Sequence, residues 1–321
     1  FTKESVVVGK YVIFSYRQDS VKISPTLINL HVKNRVHERL KKEEASAIGQ
    51  KQRAEIKEEV INELIEEVVP SISVTQLLID TSKSEMYLAG SSDKTVEGVM
   101  ILFEKTFKLR LMEANFMATA QRILEKDIFE KVLDKPGIQL KDSEFNPEYE
   151  DTPEGKLGAA FLTWLLFYLE VGEAVWASKS LGEFGILIDE YLLLEGEAAG
   201  SRQTLLKKGT TCRCIEMNAA LHAGKLVSKA RCHIARDRGK EEADEWFFVI
   251  DKLNYDLQSL KVPKSREGDA YTRQLTRLDY IIEIFELIDE IYTYFLDLRY
   301  GRKWKKSEQE MIDWVKGLLL E

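Results

Sequence analysis

The chain has 321 residues, 44% hydrophobic and 31% charged, with 46 Lys+Arg against 54 Asp+Glu for a net charge of −8. That composition excludes a wholly disordered chain, and six prolines with 18 glycines exclude a collagen-like or low-complexity polymer. No run approaches the ~18 uncharged apolar residues that a membrane-spanning helix requires. Three cysteines are too few for a disulfide framework and point to a reducing compartment.

The chain opens FTKES without an initiator Met and soon enters an apolar run, as expected of one whose N-terminal segment is missing. Residues 5–16 read as a strand. Ser24-Pro25 is a helix start, and Ile28, Val32, Val36 and Leu40 form a stripe with a four-residue repeat. A second helix runs from Lys51 to Val69 with Ile56, Val60, Leu64 and Val68 as its stripe, making a charged helical arm over 24–69. Residues 71–90 read as a hairpin turning at Thr81-Ser82-Lys83-Ser84, and Ser92 caps the helix that follows. Strand, strand, helix in that order gives an α+β fold class with antiparallel sheets and long charged helices.

The spacing divides the chain into an N-terminal region (1–133), a Pro/Gly/acid-rich linker (134–156), a β-rich region (157–263) and a C-terminal helical region (264–321). The third begins with a helix at 157–170 and continues with strands at 185–197, 224–236, 245–253 and 256–263. In the last, Ile281, Ile284, Ile288, Ile291, Phe295 and Leu298 make a heptad-like seam. We expect this region to be the dimerisation region, with Ile281, Ile284, Ile288 and Ile291 as the dimer interface packing across a two-fold axis against the same helix of a partner, or else against its neighbour in a helical bundle.

Catalytic chemistry is thinly represented. Asp80, Lys83 and Glu85, with Asp189-Glu190, supply the acids and lysine of a metal-dependent nuclease, but the first three straddle a turn that favours such residues for its own reasons. Cys212, Cys214, Cys232 and His233 supply zinc-ligand types in a spacing that matches no common zinc module; Cys232 and His233 fall on opposite faces of a strand. Phosphate-loop, zincin, nucleophile-elbow and dinucleotide motifs are all missing from the sequence. The reading is therefore non-enzymatic, with no metal and no cofactor.

The informative feature is local charge. Residues 201–240 hold ten basic residues and two acidic ones, although the chain as a whole is acidic. Within GKLVSKARCHIAR (224–236), alternation puts Leu226, Ser228, Ala230, Cys232 and Ile234 on one face. Lys225, Val227, Lys229, Arg231 and His233 lie on the other. Such a face is either solvated or a set of fixed cations for a phosphate backbone, with Lys207 and Lys208 added from a neighbouring loop.

A collinear series runs along nearly the whole chain: VVGKYVIFSYRQDSVKISPTLINLHV (7–32), the charged helix pair, SISVTQLLID, LGAAFLTWLLFYLE (157–170), ALHAGKLVSKARCHI (220–234), WFFVIDKLNYDLQSLKVP (246–263) and the helix from Asp269. On these segments the chain resembles the RdgC family of recombination-associated proteins. The resemblance implies a non-enzymatic, sequence-independent DNA-binding protein, cytoplasmic and nucleoid-associated. It also implies a horseshoe-like monomer that forms a ring-shaped homodimer around duplex DNA and restrains RecA-dependent recombination. The family's basic residue in the AGK turn falls on Lys225, and its basic pair near Lys207 and Lys208. Lys225, Lys229 and Arg231 become inner-surface phosphate contacts. The family's Arg and Phe at the tip after the helix pair are replaced by Glu67 and Val69, and residues 171–184 and 300–321, with RKWKK (302–306), extend beyond shorter members. The alternative is a scaffold acting on recombination or replication partners, with DNA binding incidental.

Overall fold

The computed structural model describes residues 6–44, 46–90, 92–140, 152–172, 174–196, 201–208, 214–237, 243–265 and 268–318. The chain forms two compact units, Phe1–Leu111 and Met112–Glu321.

The first unit is a four-stranded antiparallel sheet, ordered β1 (Val7–Val8), β2 (Tyr11–Ser20), β3 (Ser71–Asp80) and β4 (Glu85–Leu88), with two helices inserted between β2 and β3. The strand expected over 5–16 is instead a short hairpin, since Gly9 adopts φ +60° and turns the chain between β1 and β2; β2 then runs on to Ser20 in unbroken register with β3. The inserted helices α1 (Pro25–Lys42) and α2 (Gln50–Glu67) form the expected arm. It closes its own small core: Val32, Ile56, Val60 and Leu64 are buried, with Ile23, Ile28, Val36 and Ile48 packed round them. Arg35 clamps the pair from α1, both its Nη groups reaching Glu63 of α2. Helix α3 (Asp93–Phe107) starts where Ser92 accepts a hydrogen bond from the Thr95 amide. It packs on the sheet through Gly98, where an added Cβ would lie 2.5 Å from the Tyr16 hydroxyl.

The second unit holds a six-stranded antiparallel sheet. Its path is β10 (Gln258–Lys261), β9 (Asp244–Asp251), β8 (Leu226–Arg236), β6 (Gly182–Glu195) and β5 (Val175–Ser178), and β7 (Gln203–Lys207) also pairs with β6. β5 takes the first residues of β6 and β7 the last ones. The sequence reading missed both short strands, as it missed helices α4 (Phe116–Ile123), α5 (Lys126–Asp134) and α7 (Ile215–His222). Helix α6 (Pro153–Val171) is capped by Thr152, whose hydroxyl accepts from the Gly155 amide, and it is buried along almost its whole length. Two long-range features seat it. The Thr163 hydroxyl accepts a hydrogen bond from the Val227 amide (2.9 Å), and an added Cβ at Gly158 would stand 2.0 Å from the Lys252 carbonyl oxygen. No side chain fits there, so Gly158 is what lets the helix approach the sheet's rim.

The 134–156 segment is only partly a connection. Ile138 and Leu140 are buried in the core, and the backbone at 135–137 is held by Arg299 (to the Gly137 carbonyl, 2.6 Å) and Tyr300 (to the Lys135 carbonyl, 3.1 Å); residues 141–151 lie outside the described ones. Helices α8 (Ala270–Arg299) and α9 (Trp304–Gly317) complete the unit. Among the described residues no helix is long and apolar enough to cross a membrane.

The C-terminal seam is turned inward. Ile284, Ile288 and Ile291 are 1%, 3% and 0% exposed within the single chain, in the core that also holds Phe161, Trp164 and Phe295; only Ile281 is half-exposed. A second copy has no access to side chains that this chain already covers, so the expected two-fold packing of these isoleucines gives way to the bundle packing. Ile288→Glu would bury a carboxylate without a partner. It should lower stability by more than about 4 kcal/mol in denaturant melting, with loss of near-ultraviolet dichroism rather than release of a folded monomer.

Candidate nucleic-acid interface

The sheet of the second unit buries one face and leaves the other half-exposed. Ala230, Cys232 and Ile234 of β8 point into the core while Lys229, Arg231 and His233 point out, as alternation requires. At the start of the strand the expected faces are reversed. Lys229 pairs with Leu193 but Val227 pairs with Leu194, so Ser228 is the extra residue of a β-bulge. Val227 therefore faces the core at 0% exposure, and Leu226 is only half-buried. Lys225, placed by the Gly224 turn (φ +86°), is 6% exposed, and its Nζ donates to the Thr204 hydroxyl of β7 (2.8 Å). It is a buried lysine rather than a presented one. Nearby, Lys252 and Glu195 form a buried pair (2.9 Å). Burial pushes the Glu195 carboxyl up, but bonds from Lys252, Gln203 and Ser228 outweigh this and hold it below its ordinary value.

The outward cations are less free than their own strand suggests. Lys229 Nζ reaches Gln258 (2.8 Å) and Asp251 (3.5 Å), its cross-strand partner on β9. Arg231 pairs with Glu190, and its guanidinium lies 5.6 Å from the centre of the Phe247 ring. His233 stacks on Phe247 (4.2 Å, 14°) and meets Glu245 at 3.1 Å. The Glu190 contact depends on a second bulge. Ile188 pairs with Cys232 and Leu192 with Ala230, leaving Asp189, Glu190 and Tyr191 opposite Arg231 alone; Glu190 takes φ +59°. Lys207 ends β7 with its Nζ over the Tyr191 ring (5.6 Å), and Lys208 follows at φ +62° with its amide on the Glu190 carbonyl (3.0 Å). Among the described residues, Lys207 and Lys208 have no ion pair. The sequence did carry a sign of the opposing acids, since DEWFFVID alternates so as to put Glu245, Phe247, Val249 and Asp251 on one face. The bulge that delivers Glu190 left no such trace.

Among the described residues, neither unit by itself assembles a candidate metal set. Cys214 caps α7, its Sγ accepting from the Met217 amide; Cys232 is in the core and His233 on the opposite face; Cys212 lies outside the described residues. Among the described residues no group of three or more His, Cys, Asp or Glu could hold a metal ion.

Asp80 is buried at the end of β3 and committed to the hairpin. Its Oδ1 accepts from the Ser82 amide and hydroxyl and the Lys83 amide (2.8, 2.6 and 3.2 Å), and its Oδ2 lies 3.0 Å from Lys10 Nζ. Burial pushes the carboxyl up, but the Ser82 hydroxyl, Lys10 and the two amides outweigh it and hold the pKa at about 2, against an ordinary 3.8.

Residues 3–131, less than half of the 321-residue chain, match the family model described as "RdgC: Putative exonuclease, RdgC". No curated protein matches the chain. The matched stretch contains Asp80, the acid that a nuclease reading needs, in a hairpin-stabilising role. A carboxyl with a depressed folded pKa contributes stability above its unfolded pKa and loses it as pH falls through the folded value. Asp80→Asn should therefore lower the melting temperature at pH 7, and the gap to the parent should narrow as pH falls from about 5 toward 2.

Proposed function

We propose, from the match of residues 3–131 to the RdgC family model, a non-enzymatic, sequence-tolerant DNA-binding protein that acts in recombination. The observation that carries this is the outer sheet face, where Lys207 of β7 lies over Tyr191, Arg231 of β8 lies over Phe247, Lys229 stands beside it on β8 and Lys208 follows β7. Cations on rigid strands suit a phosphate backbone, and the bidentate base-reading side chains of a recognition helix are not part of this face. The protein works as a homodimer that surrounds duplex DNA, possession of which excludes the RecA recombinase. With Ile284, Ile288 and Ile291 of α8 buried within the chain, the proposed dimer would use a surface other than these three residues. In this reading Lys207 and Lys208 lead, Lys229 and Arg231 exchange carboxylates for phosphates, and Lys225, bonded to Thr204, supports the β7–β8 junction.

A second reading, exonuclease, is favoured by the wording of the matched family description alone. Mobility shift on unrelated duplexes, with a nuclease assay in Mg²⁺ on the same substrates, separates the two. Binding should weaken about 10³-fold or more between about 50 and 200 mM salt if six or more phosphates are neutralised, with the DNA left intact. Progressive loss of terminal nucleotides would support the exonuclease; no shift on any duplex at 50 mM would leave the scaffold.

The pairing pattern adds a gain-of-affinity prediction. Glu190→Gln frees Arg231, so affinity for random duplex should rise and the salt slope steepen by about 0.9, one phosphate contact. Lys207→Glu with Lys208→Glu should flatten the slope by about two such contacts, with the melting temperature unchanged.

A further inference from the structure

The sheet of the second unit ends on one side at β5, and among the described residues no strand pairs with its outer edge. The Ile186 amide bonds the Ala174 carbonyl (2.8 Å), and Val175, Trp176, Ala177 and Ser178 follow in register with Gly185, Phe184, Glu183 and Gly182. Bonded and non-bonded pairs alternate along an antiparallel ladder. Trp176 and Ser178 therefore turn their backbone groups to β6, while Val175 and Ala177 turn theirs to the open edge. Both of these residues are exposed, so two amides and two carbonyls stand ready for an added strand. Edge strands are usually blunted by lysine, proline or a bulge. β5 reads VWAS, with neither a lysine nor a proline.

At this edge the aromatic core reaches the surface. Trp176 packs against Tyr168 of α6 (5.7 Å) and Tyr294 of α8 (5.4 Å), and Trp164 closes the group behind them. Tyr294 is 47% exposed, and Val171, one turn beyond Tyr168, is 60% exposed. Tyrosine and tryptophan in such a position present a large rigid contact area with a polar tip, as at protein interfaces. The rim is acidic. Glu290 and Asp297 lie one turn to either side of Tyr294 on α8, and Glu183 stands across the ladder from Ala177. Glu290 also anchors the end of β5, accepting from the Ser178 hydroxyl (2.6 Å) and the Lys179 amide (3.2 Å). Glu183 and Asp297 are exposed, as is Lys179 at the turn, so acids outnumber bases round the edge.

We propose that the β5 edge is a docking site for an extended, basic segment of another protein, which adds to the sheet as a further strand. Main-chain bonds to Val175 and Ala177 supply the attachment, and the surface of Tyr168, Tyr294 and Val171 takes an apolar residue of the segment. The acids select lysine or arginine, to which the exposed Tyr294 ring adds its own attraction. A nucleic acid would gain no ladder bonds here and would meet acids. The edge is also set apart from the cationic face, since β5 pairs with the first residues of β6 and β7 with the last. A second copy would offer VWAS, which has no base for these acids.

The test is fluorescence polarisation on the full chain with a labelled peptide alternating lysine and valine over about seven residues, against its glutamate–valine counterpart. The lysine peptide should bind with a Kd below about 1 mM and at least about tenfold more tightly than the glutamate peptide. Ala177→Pro removes an outward amide and no ladder bond, which a sheet edge tolerates. It should cost at least about tenfold in peptide affinity and leave the melting temperature and duplex binding as in the parent. Val175→Lys adds a base to the edge on an exposed side chain, and should weaken the lysine peptide but not the glutamate one. No binding of either peptide up to about 1 mM, equal binding of the two, or parent-like binding by both folded variants overturns the proposal. Smaller particles in light scattering for Val175→Lys, with no peptide bound by the parent, make the edge a contact between copies and overturn it as well. A fall in duplex affinity in these variants without peptide binding assigns the edge to nucleic acid, with the same result.

Discussion

Helix α6 is the constraint on which the second unit depends. FLTWLLFYLE is apolar on every side, and a helix of that kind is stable only when enclosed. One flank lies against the sheet, pinned by Thr163 to the Val227 amide and by Gly158 to the Lys252 carbonyl. Other flanks take rings from α8, where Phe161 and Trp164 meet Tyr292 and Phe295. The isoleucine seam of α8 is inward because α6 has to be covered. The Ser228 bulge lies next to the residue whose amide Thr163 holds, and that bulge turns Val227 inward. With the inner face occupied in this way, only the outer face of the sheet is left for solvent or a ligand.

How much of this the sequence reveals depends on the range of the interaction. Local signals are well represented. Ser24-Pro25 starts α1, Ser92 caps α3, and the turn between Asp80 and Glu85 joins β3 to β4. Their determinants are neighbours in the chain. Short strands β5 and β7 are invisible by pattern because each is a few residues long and exists by pairing to β6. The seam of α8 has the period of a dimer interface and the period of a buried bundle helix, and these are one period; what decides is the apolar demand of α6, more than a hundred residues away. Lys225 fails as a surface cation for the same kind of reason. Gly224 and the Ser228 bulge set its direction, while the alternation that predicts an outward side chain assumes an unbroken ladder.

Charge shows the difference most clearly. Ten bases in 201–240 count as a basic window, yet a cation's value to a polyanion depends on what it already holds. A half-exposed pair such as Lys229–Asp251 contributes at most about 1 kcal/mol to stability, so exchange for a phosphate is affordable, but each exchange leaves a carboxylate facing the incoming strand. Glu190 does more than this to Arg231, since the bulge that places it also bonds β7 through the Lys208 amide to the Glu190 carbonyl. The sheet face is in this sense tempered: cationic, shaped by Phe247 and Tyr191, and partly neutralised.

The arm is the complement of that face. Its core is small and self-contained, so its surface charges are unconstrained by packing, and the layout they adopt runs against the dipole of α2. A stability explanation would place Glu at 51 and 53 and Lys at 66 and 67. The chain has the reverse, with five of the six acids of α2 from Glu58 onward, while Glu43 and Glu44 stand in the connection. Under the proposed DNA-binding role, a net charge of −8 has a physical use: acidic surface repels a polyanion except where bases are concentrated.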